Sequence, residues 1–207
     1  MSAPGDTAML AAYFDRSFAM SDITPLIPRQ PVPQLAVPLA GGGKFDLNTE
    51  TPDKFSLIVF YRGLHCPQCR KQLTDLESKL PEFEKRGVSV VAISPDDKER
   101  GEKTKPEWGL KNLRIGYGLS MNTARAFGLW ISTSRGKTSA GIEETSLFNE
   151  PGLFLIKPDR TLYCASVQTM PFARPHFADL LTAIDFVTEK NYPARGEVVN
   201  LPAQAAE

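Results

Sequence analysis

Three cysteines and two histidines are all that the 207 residues carry. Three is too few, and odd, for a disulfide framework. In a reducing compartment a close cysteine pair serves catalysis or metal binding more often than structure. A structural zinc site takes four ligands, usually as two close pairs. Beside Cys66 and Cys69 the chain offers only His65, Cys164 and the distant His176, so no metal is expected. An excess of one charge is also missing: Lys+Arg 24 balances Asp+Glu 24. That removes the basic footprint of a nucleic-acid binder. No apolar run approaches the roughly 20 residues that span a bilayer. The start, MSAPGDTAML, lacks the basic opening and apolar core of a secretory signal. These absences predict a soluble cytoplasmic protein, and 42% hydrophobic residues supply one sizeable core.

What is present reads as an alternation of strands and helices. Thr7–Met20 sets Leu10, Tyr13, Phe14 and Phe18 on one helical face. A proline- and glycine-rich stretch from Ile23 to Phe45 then predicts an extended arm with an edge hairpin. FSLIVFY (Phe55–Tyr61) and VSVVAIS (Val88–Ser94) are almost continuously apolar, as strands buried on both faces are. Between them Cys69, Leu73, Leu76, Leu80 and Phe83 recur at helical spacing, with Pro81 expected to kink or break the helix and Gly87 to end it. Beyond lie a polar, partly helical segment, a short strand in LRIGYG, a short helix opened by Ser120 or Asn122, and a long loop from Ile131 to Glu150. GLFLI and TLYCASVQ form a hairpin across KPDR, and Phe177, Leu180, Leu181, Ile184 and Val187 mark a last helix. The predicted organisation is an N-terminal helix and arm (1–30), one redox domain (31–190) and a tail (191–207). Strand–helix–strand followed by hairpin–helix describes an α/β thioredoxin-like fold, a central mixed sheet flanked by helices.

The cysteine pair falls where the first buried strand hands the chain to a helix. The first turn of a helix has unpaired N–H groups and a partial positive charge, and both favour a thiolate. In Cys-X-X-Cys sites the thiol pKa falls from about 8.5 to roughly 3.5–7.5. Pro67, lacking an N–H, suits the first helical position. The spacing therefore predicts an exposed, nucleophilic Cys66 at the helix entrance and a more buried Cys69 one turn inside. Cys66 would attack, and Cys69 would resolve the mixed disulfide or sulfenic acid. Two inert core cysteines are the competing reading.

The body, roughly Pro33 to Val187, resembles the peroxiredoxin-like branch of the thioredoxin superfamily, the alkyl hydroperoxide reductase/thiol-specific antioxidant family. FYRGLHCPQCRKQL is similar to the Phe-Tyr-Arg-Gly-x-x-Cys-Pro-x-Cys signature of a subgroup. PGLFLIKPDRTLYCASVQTMPFARPHFADLLTAIDF is similar to the closing hairpin and helix, with Arg174 before that helix. The resemblance implies a thiol-dependent redox role with Cys66 as nucleophile. The chain also departs from the pattern. The proline and threonine that precede a typical peroxidatic cysteine are replaced by Val59 and Gly63. Pro151 stands where the family has a peroxide-polarising arginine and where thioredoxins have a cis-proline. Phe60 stands where thioredoxins have a buried aspartate.

Around the pair, Arg62 has two readings, an activator of Cys66 or a surface arginine bonded to loop carbonyls. Arg174 is read first as holding its own turn by a salt bridge, and second as approaching the site. His65 and Arg70 are read as exposed, Cys164, Trp108 and Trp130 as packing residues, and DDKERGEKTK as a solvated face. The leading expectation is thiol–disulfide exchange on Cys66/Cys69, with Pro151, Arg62, Gly63, Pro67 and Arg174 as activating or substrate-binding residues. Thiol-dependent peroxidase activity stands second and a non-catalytic redox sensor third. The catalytic readings need no organic cofactor or metal. Both need an external thiol reductant such as thioredoxin or glutathione, and a disulfide or hydroperoxide substrate. The N-terminal helix and arm are compatible with a homodimer.

Overall fold

The computed structural model describes residues 23–200. The chain enters through a small antiparallel pair, β1 (Ala36–Pro38) and β2 (Lys44–Asp46). It then forms β3 (Phe55–Phe60), every residue of which is buried. Only a central strand covered on both faces tolerates that pattern. β3 runs parallel to β4 (Val88–Ile93), which is parallel to β5 (Arg114–Gly116). On its other side β3 pairs antiparallel with β8 (Gly152–Ile156), and β8 with β9 (Leu162–Val167). The sheet order is thus β5-β4-β3-β8-β9, the mixed sheet that the sequence pattern predicts.

Alternation along the strands sorts the core into two layers. Leu57, Val59 and Tyr61 face helix α1 (Pro67–Lys85) and the last helix, α4 (Phe177–Glu189). Ile58 and Phe60 face the opposite layer, made of Val37 and Phe45 from the small pair and Ala124 and Phe127 at the short helix α3 (Met121–Ala126). Helix α2 (Lys98–Trp108) closes the β4–β5 crossover. Asp97 caps its first turn and Gly109, in the left-handed conformation, ends it.

Two expectations need correction. α1 runs unbroken through Pro81. Proline there costs about 3 kcal/mol, but the turn beyond it carries Phe83, which is fully buried and meets Phe177 edge-to-face at 6.1 Å. Burying such a ring contributes about 2–3 kcal/mol. Arg86 adds bonds to the Glu82 carbonyl (2.9 Å) and Asp185 (2.7 Å). Ile131–Glu150 is likewise more than a loop. Its ends form strands β6 (Ile131–Thr133) and β7 (Leu147–Asn149), paired antiparallel, so the insertion is a long hairpin. The helix expected over Thr7–Met20 and residues 201–207 of the tail lie outside the described residues.

Candidate active site

Six residues, Tyr61–Cys66, carry the chain from the end of β3 to α1. Gly63 makes this turn possible. Its φ is +131°, and a Cβ there would stand 2.7 Å from the Asp96 carboxylate. Asp96 is fully buried. It accepts the Leu64 N–H at 2.7 Å, the Ser94 hydroxyl at 3.2 Å and Arg100 Nε at 3.1 Å. Burial pushes its carboxyl above the ordinary range, against the pull of the Leu64 amide and Arg100. One carboxylate thus holds the loop that presents the first cysteine.

Cys66 stands at the N-cap of α1, with Pro67 in the first turn. Its Sγ accepts the Cys69 N–H at 3.3 Å. Arg174 reaches in from the turn before α4. Its Nη2 lies 3.2 Å from Cys69 Sγ and 3.9 Å from Cys66 Sγ. The rest of the guanidinium is held by the Pro171 carbonyl (2.8 Å) and Gln72 Oε1 (2.5 Å). The Arg62 backbone N–H points at Cys69 Sγ from 3.4 Å. A hydrogen bond from the Cys69 thiol lowers the Cys66 pKa first. The Cys69 N–H and the charges of Arg174 and Arg62 lower it further, and together they outweigh burial and bring it to about 6. The Cys69 thiol moves the other way, raised by burial and by the bond and charge of Cys66. One sulfur is set to be a thiolate at neutral pH and its neighbour a thiol.

Some sequence-predicted placements hold, among them an exposed Arg70 and a packed Trp108, and others differ. Cys66 is only 1% exposed, because the helix entrance is roofed by the turn that carries Arg174. Arg174 makes no salt bridge within its turn but contacts both sulfurs. Pro151 is buried and follows a trans peptide bond. The Arg62 side chain turns away from the thiols, toward Glu144 (3.4 Å) and Glu150 (3.5 Å) and over the Phe148 ring (4.6 Å). Arg70 and His176 are exposed. Trp108 packs on Tyr61 at 5.7 Å, while Trp130 is exposed and lines an apolar groove with Phe127 and Phe154. Cys164 is half-buried on β9, and burial pushes its thiol up to about 11. Asp96 escapes a reading of DDKERGEKTK as a solvated face. The available signal was Ser94-Pro95-Asp96 closing a buried strand, with Arg100 four residues on.

His65 is fully buried instead of exposed, tilted against Phe148 at 4.9 Å. Neither ring nitrogen has a hydrogen-bond partner among the described residues. Burial, with the charges of Arg62 and Arg100, depresses its pKa from 6.5 to about 3. Between those values the unfolded chain binds a proton that the folded chain refuses, so stability falls as pH drops below 6.5. Two units below that point the loss is about 2.7 kcal/mol. His65→Phe is expected to unfold at a higher temperature than wild type at pH 4.5 and to differ little at pH 7.5. Equal acid sensitivity of the two proteins would contradict this.

Comparison with known proteins places this geometry in context. The AhpC/TSA family model matches residues 28–164, a span that holds both site cysteines and Asp96 but not Arg174. The chain is 32% identical over 81 residues to "Putative peroxiredoxin Rv2521" of Mycobacterium tuberculosis. That match covers 39% of this chain and 51% of the relative, so the chain spans about half the length of the curated relatives it matches. Among solved structures, peroxidoxin BcpB of Mycobacterium tuberculosis superposes with a TM-score of 0.59 at 20% identity, over 77% of this chain and 96% of that one. The reduced 2-Cys peroxiredoxin of Plasmodium vivax gives 0.65 at 16% identity, over 81% and 84%. At such identities the structures establish the fold. The matched residues carry the assignment further: this chain belongs to the AhpC/TSA family.

Proposed function

We propose that the chain is a thiol-dependent peroxidase with Cys66 as the peroxidatic and Cys69 as the resolving cysteine. The observation that carries this reading is Cys66 Sγ at the N-cap of α1, bonded by the Cys69 N–H at 3.3 Å with the Arg174 guanidinium 3.9 Å away. The Cys66 thiolate attacks one oxygen of a hydroperoxide. The O–O bond breaks, Cys66 becomes a sulfenic acid, and the other oxygen leaves, protonated, as water or alcohol. The Cys69 thiol then attacks the sulfenic sulfur, closing the disulfide and releasing water. An external thiol donates two electrons to restore the pair. Arg174 takes the place of the arginine that Pro151 lacks, and Gly63 serves the loop geometry. Thiol–disulfide exchange, the leading expectation from sequence, becomes the second reading. The trans bond before Pro151 and the apolar Phe60 weaken it, and the family assignment favours peroxide. Met170 and Phe172, exposed beside the site, are what favours it. Within the described residues no helix is long and apolar enough to cross a membrane. A cytoplasmic location and an external thiol partner complete the proposal.

Peroxide consumption in the presence of dithiothreitol tests it. Wild type is expected to turn over many equivalents and Cys66→Ser none. Disulfide exchange without peroxide consumption would leave only the second reading. The rate of Cys66 alkylation by iodoacetamide should rise with pH through a midpoint near 6 and level off by pH 8, because the thiolate is the reactive form. Arg174→Ala removes a favourable charge and should move that midpoint upward. An unmoved midpoint would show that Arg174 does not stabilise the thiolate.

A further inference from the structure

Arg174 meets the thiol pair at the end of a long side chain with many rotamers to lose. Its guanidinium can act as a fixed charge only if other groups hold it. Nε donates to the Pro171 carbonyl at 2.8 Å. That bond lies within the turn and moves wherever the turn moves. Nη1 donates to Gln72 Oε1 at 2.5 Å, across 102 positions of sequence. Apart from the contacts with the sulfurs themselves, this is the one bond among the described residues that ties the guanidinium to α1.

The chemistry of that acceptor matters. Gln72 is half-buried on α1, about one turn beyond Cys69. Among the described residues Arg174 bonds one backbone carbonyl, one amide oxygen and two sulfurs, and no carboxylate. A glutamate at 72 would hold the guanidinium but would also cancel its charge. The neutral amide oxygen fixes the position and leaves the charge to the sulfurs. Of the other polar groups lining this groove, Asp75 pairs with Lys79, and Lys71 and His176 are exposed. The same bond bears on access. Cys66 is 1% exposed beneath the turn that carries Arg174. Met170 and Phe172 on the outside of that turn are each 55% exposed, so their packing does little to pin it. Ala173 holds φ +54°, a left-handed conformation disfavoured for a residue with a side chain. The Gln168 N–H ties the start of the turn to the Pro151 carbonyl at 2.9 Å, and Arg174 ties the turn to α1 through Gln72.

We infer that Gln72 is a positioning residue for the redox pair: its side-chain carbonyl latches Arg174, and with it the covering turn, over Cys66 and Cys69. The inference rests on Arg174 acting on the pair as proposed above. Gln72 touches neither sulfur through a hydrogen bond. It acts through Arg174, and without it the guanidinium keeps only the bond to its own turn and its contacts with the sulfurs.

Four full-length, reduced proteins test it: wild type, Gln72→Leu, Arg174→Ala and the double variant. Leucine is similar in size, suits a helix and accepts no hydrogen bond, so α1 is kept. The rate of Cys66 alkylation by iodoacetamide is followed against pH, with the adduct on Cys66 read by peptide mass. The midpoint reports the charge on the pair, and the high-pH plateau reports access. Arg174→Ala is expected to raise the midpoint by about one unit, the low end for loss of a charge at this range. Gln72→Leu is expected to raise it by about half a unit, a roughly threefold slower reaction below the midpoint, and to raise the plateau as the cover loosens. In the Arg174→Ala background Gln72→Leu is expected to leave the midpoint unmoved, because the residue it acts through is gone. A wild-type midpoint or a wild-type plateau in Gln72→Leu, or an equal midpoint shift in both backgrounds, would overturn the inference. An unmoved midpoint in Arg174→Ala would overturn it together with the role of Arg174. The expected shifts in a protein that consumes no peroxide would overturn the peroxidase reading alone.

Discussion

In Cys69→Ser, hydrogen peroxide is expected to oxidise one sulfur per chain quickly and then stop, with Cys66 held as a sulfenic acid. In Cys66→Ser, fast oxidation is expected to vanish. The asymmetry follows from the environments of two sulfurs one helical turn apart. Cys66 occupies the cap, where the Cys69 N–H, the Cys69 thiol and Arg174 all favour its thiolate. Cys69 is fully buried, and its thiol is pushed up. Serine at 69 keeps the backbone N–H that bonds the cap but removes the resolving sulfur. Labelling with dimedone, read by mass, distinguishes the outcomes: a Cys66 adduct in Cys69→Ser and none in Cys66→Ser. Equal oxidation of both variants would contradict the assigned roles.

The second large effect concerns Gly63. A side chain at φ +131° carries backbone strain of order 1–3 kcal/mol. Its Cβ would also push the Asp96 carboxylate off the Leu64 amide, leaving a buried group unpaired at a further cost of about 1–3 kcal/mol. Gly63→Ala is therefore expected to lose several kcal/mol, a large part of the 5–15 kcal/mol that holds a typical domain. Urea unfolding should show a lower midpoint with an unchanged slope. A midpoint equal to wild type would mean that Asp96 yields without cost. The threonine that typical relatives carry at this position cannot be restored here, because Asp96 occupies the space it needs.

The strand and helix order was legible because its signals are local. Apolar runs marked β3 and β4, and three- and four-residue spacing marked α1 and α4. The cysteine pair was legible for the same reason, since strand, proline and helix surround it in sequence. What escaped depends on contacts between distant segments. Pro81 is tolerated because Phe83 meets Phe177, ninety-odd residues away. The sequence cannot say that Arg174 folds back over the pair, because the bond that aims it across the fold comes from Gln72, 102 residues earlier. Asp96 sits in a charged run, and its burial is fixed by a loop it never neighbours in sequence. The exposure expected of Cys66 failed for that reason too: the covering turn arrives more than a hundred residues later.

Stopped-flow mixing of the reduced protein with hydrogen peroxide, followed by thiol titration, tests the central claim most directly. Fast oxidation, proportional to peroxide concentration and ending in a Cys66–Cys69 disulfide, is the result this mechanism requires. Oxidation no faster than that of an ordinary free thiol at the same pH would contradict it and leave the pair to disulfide exchange.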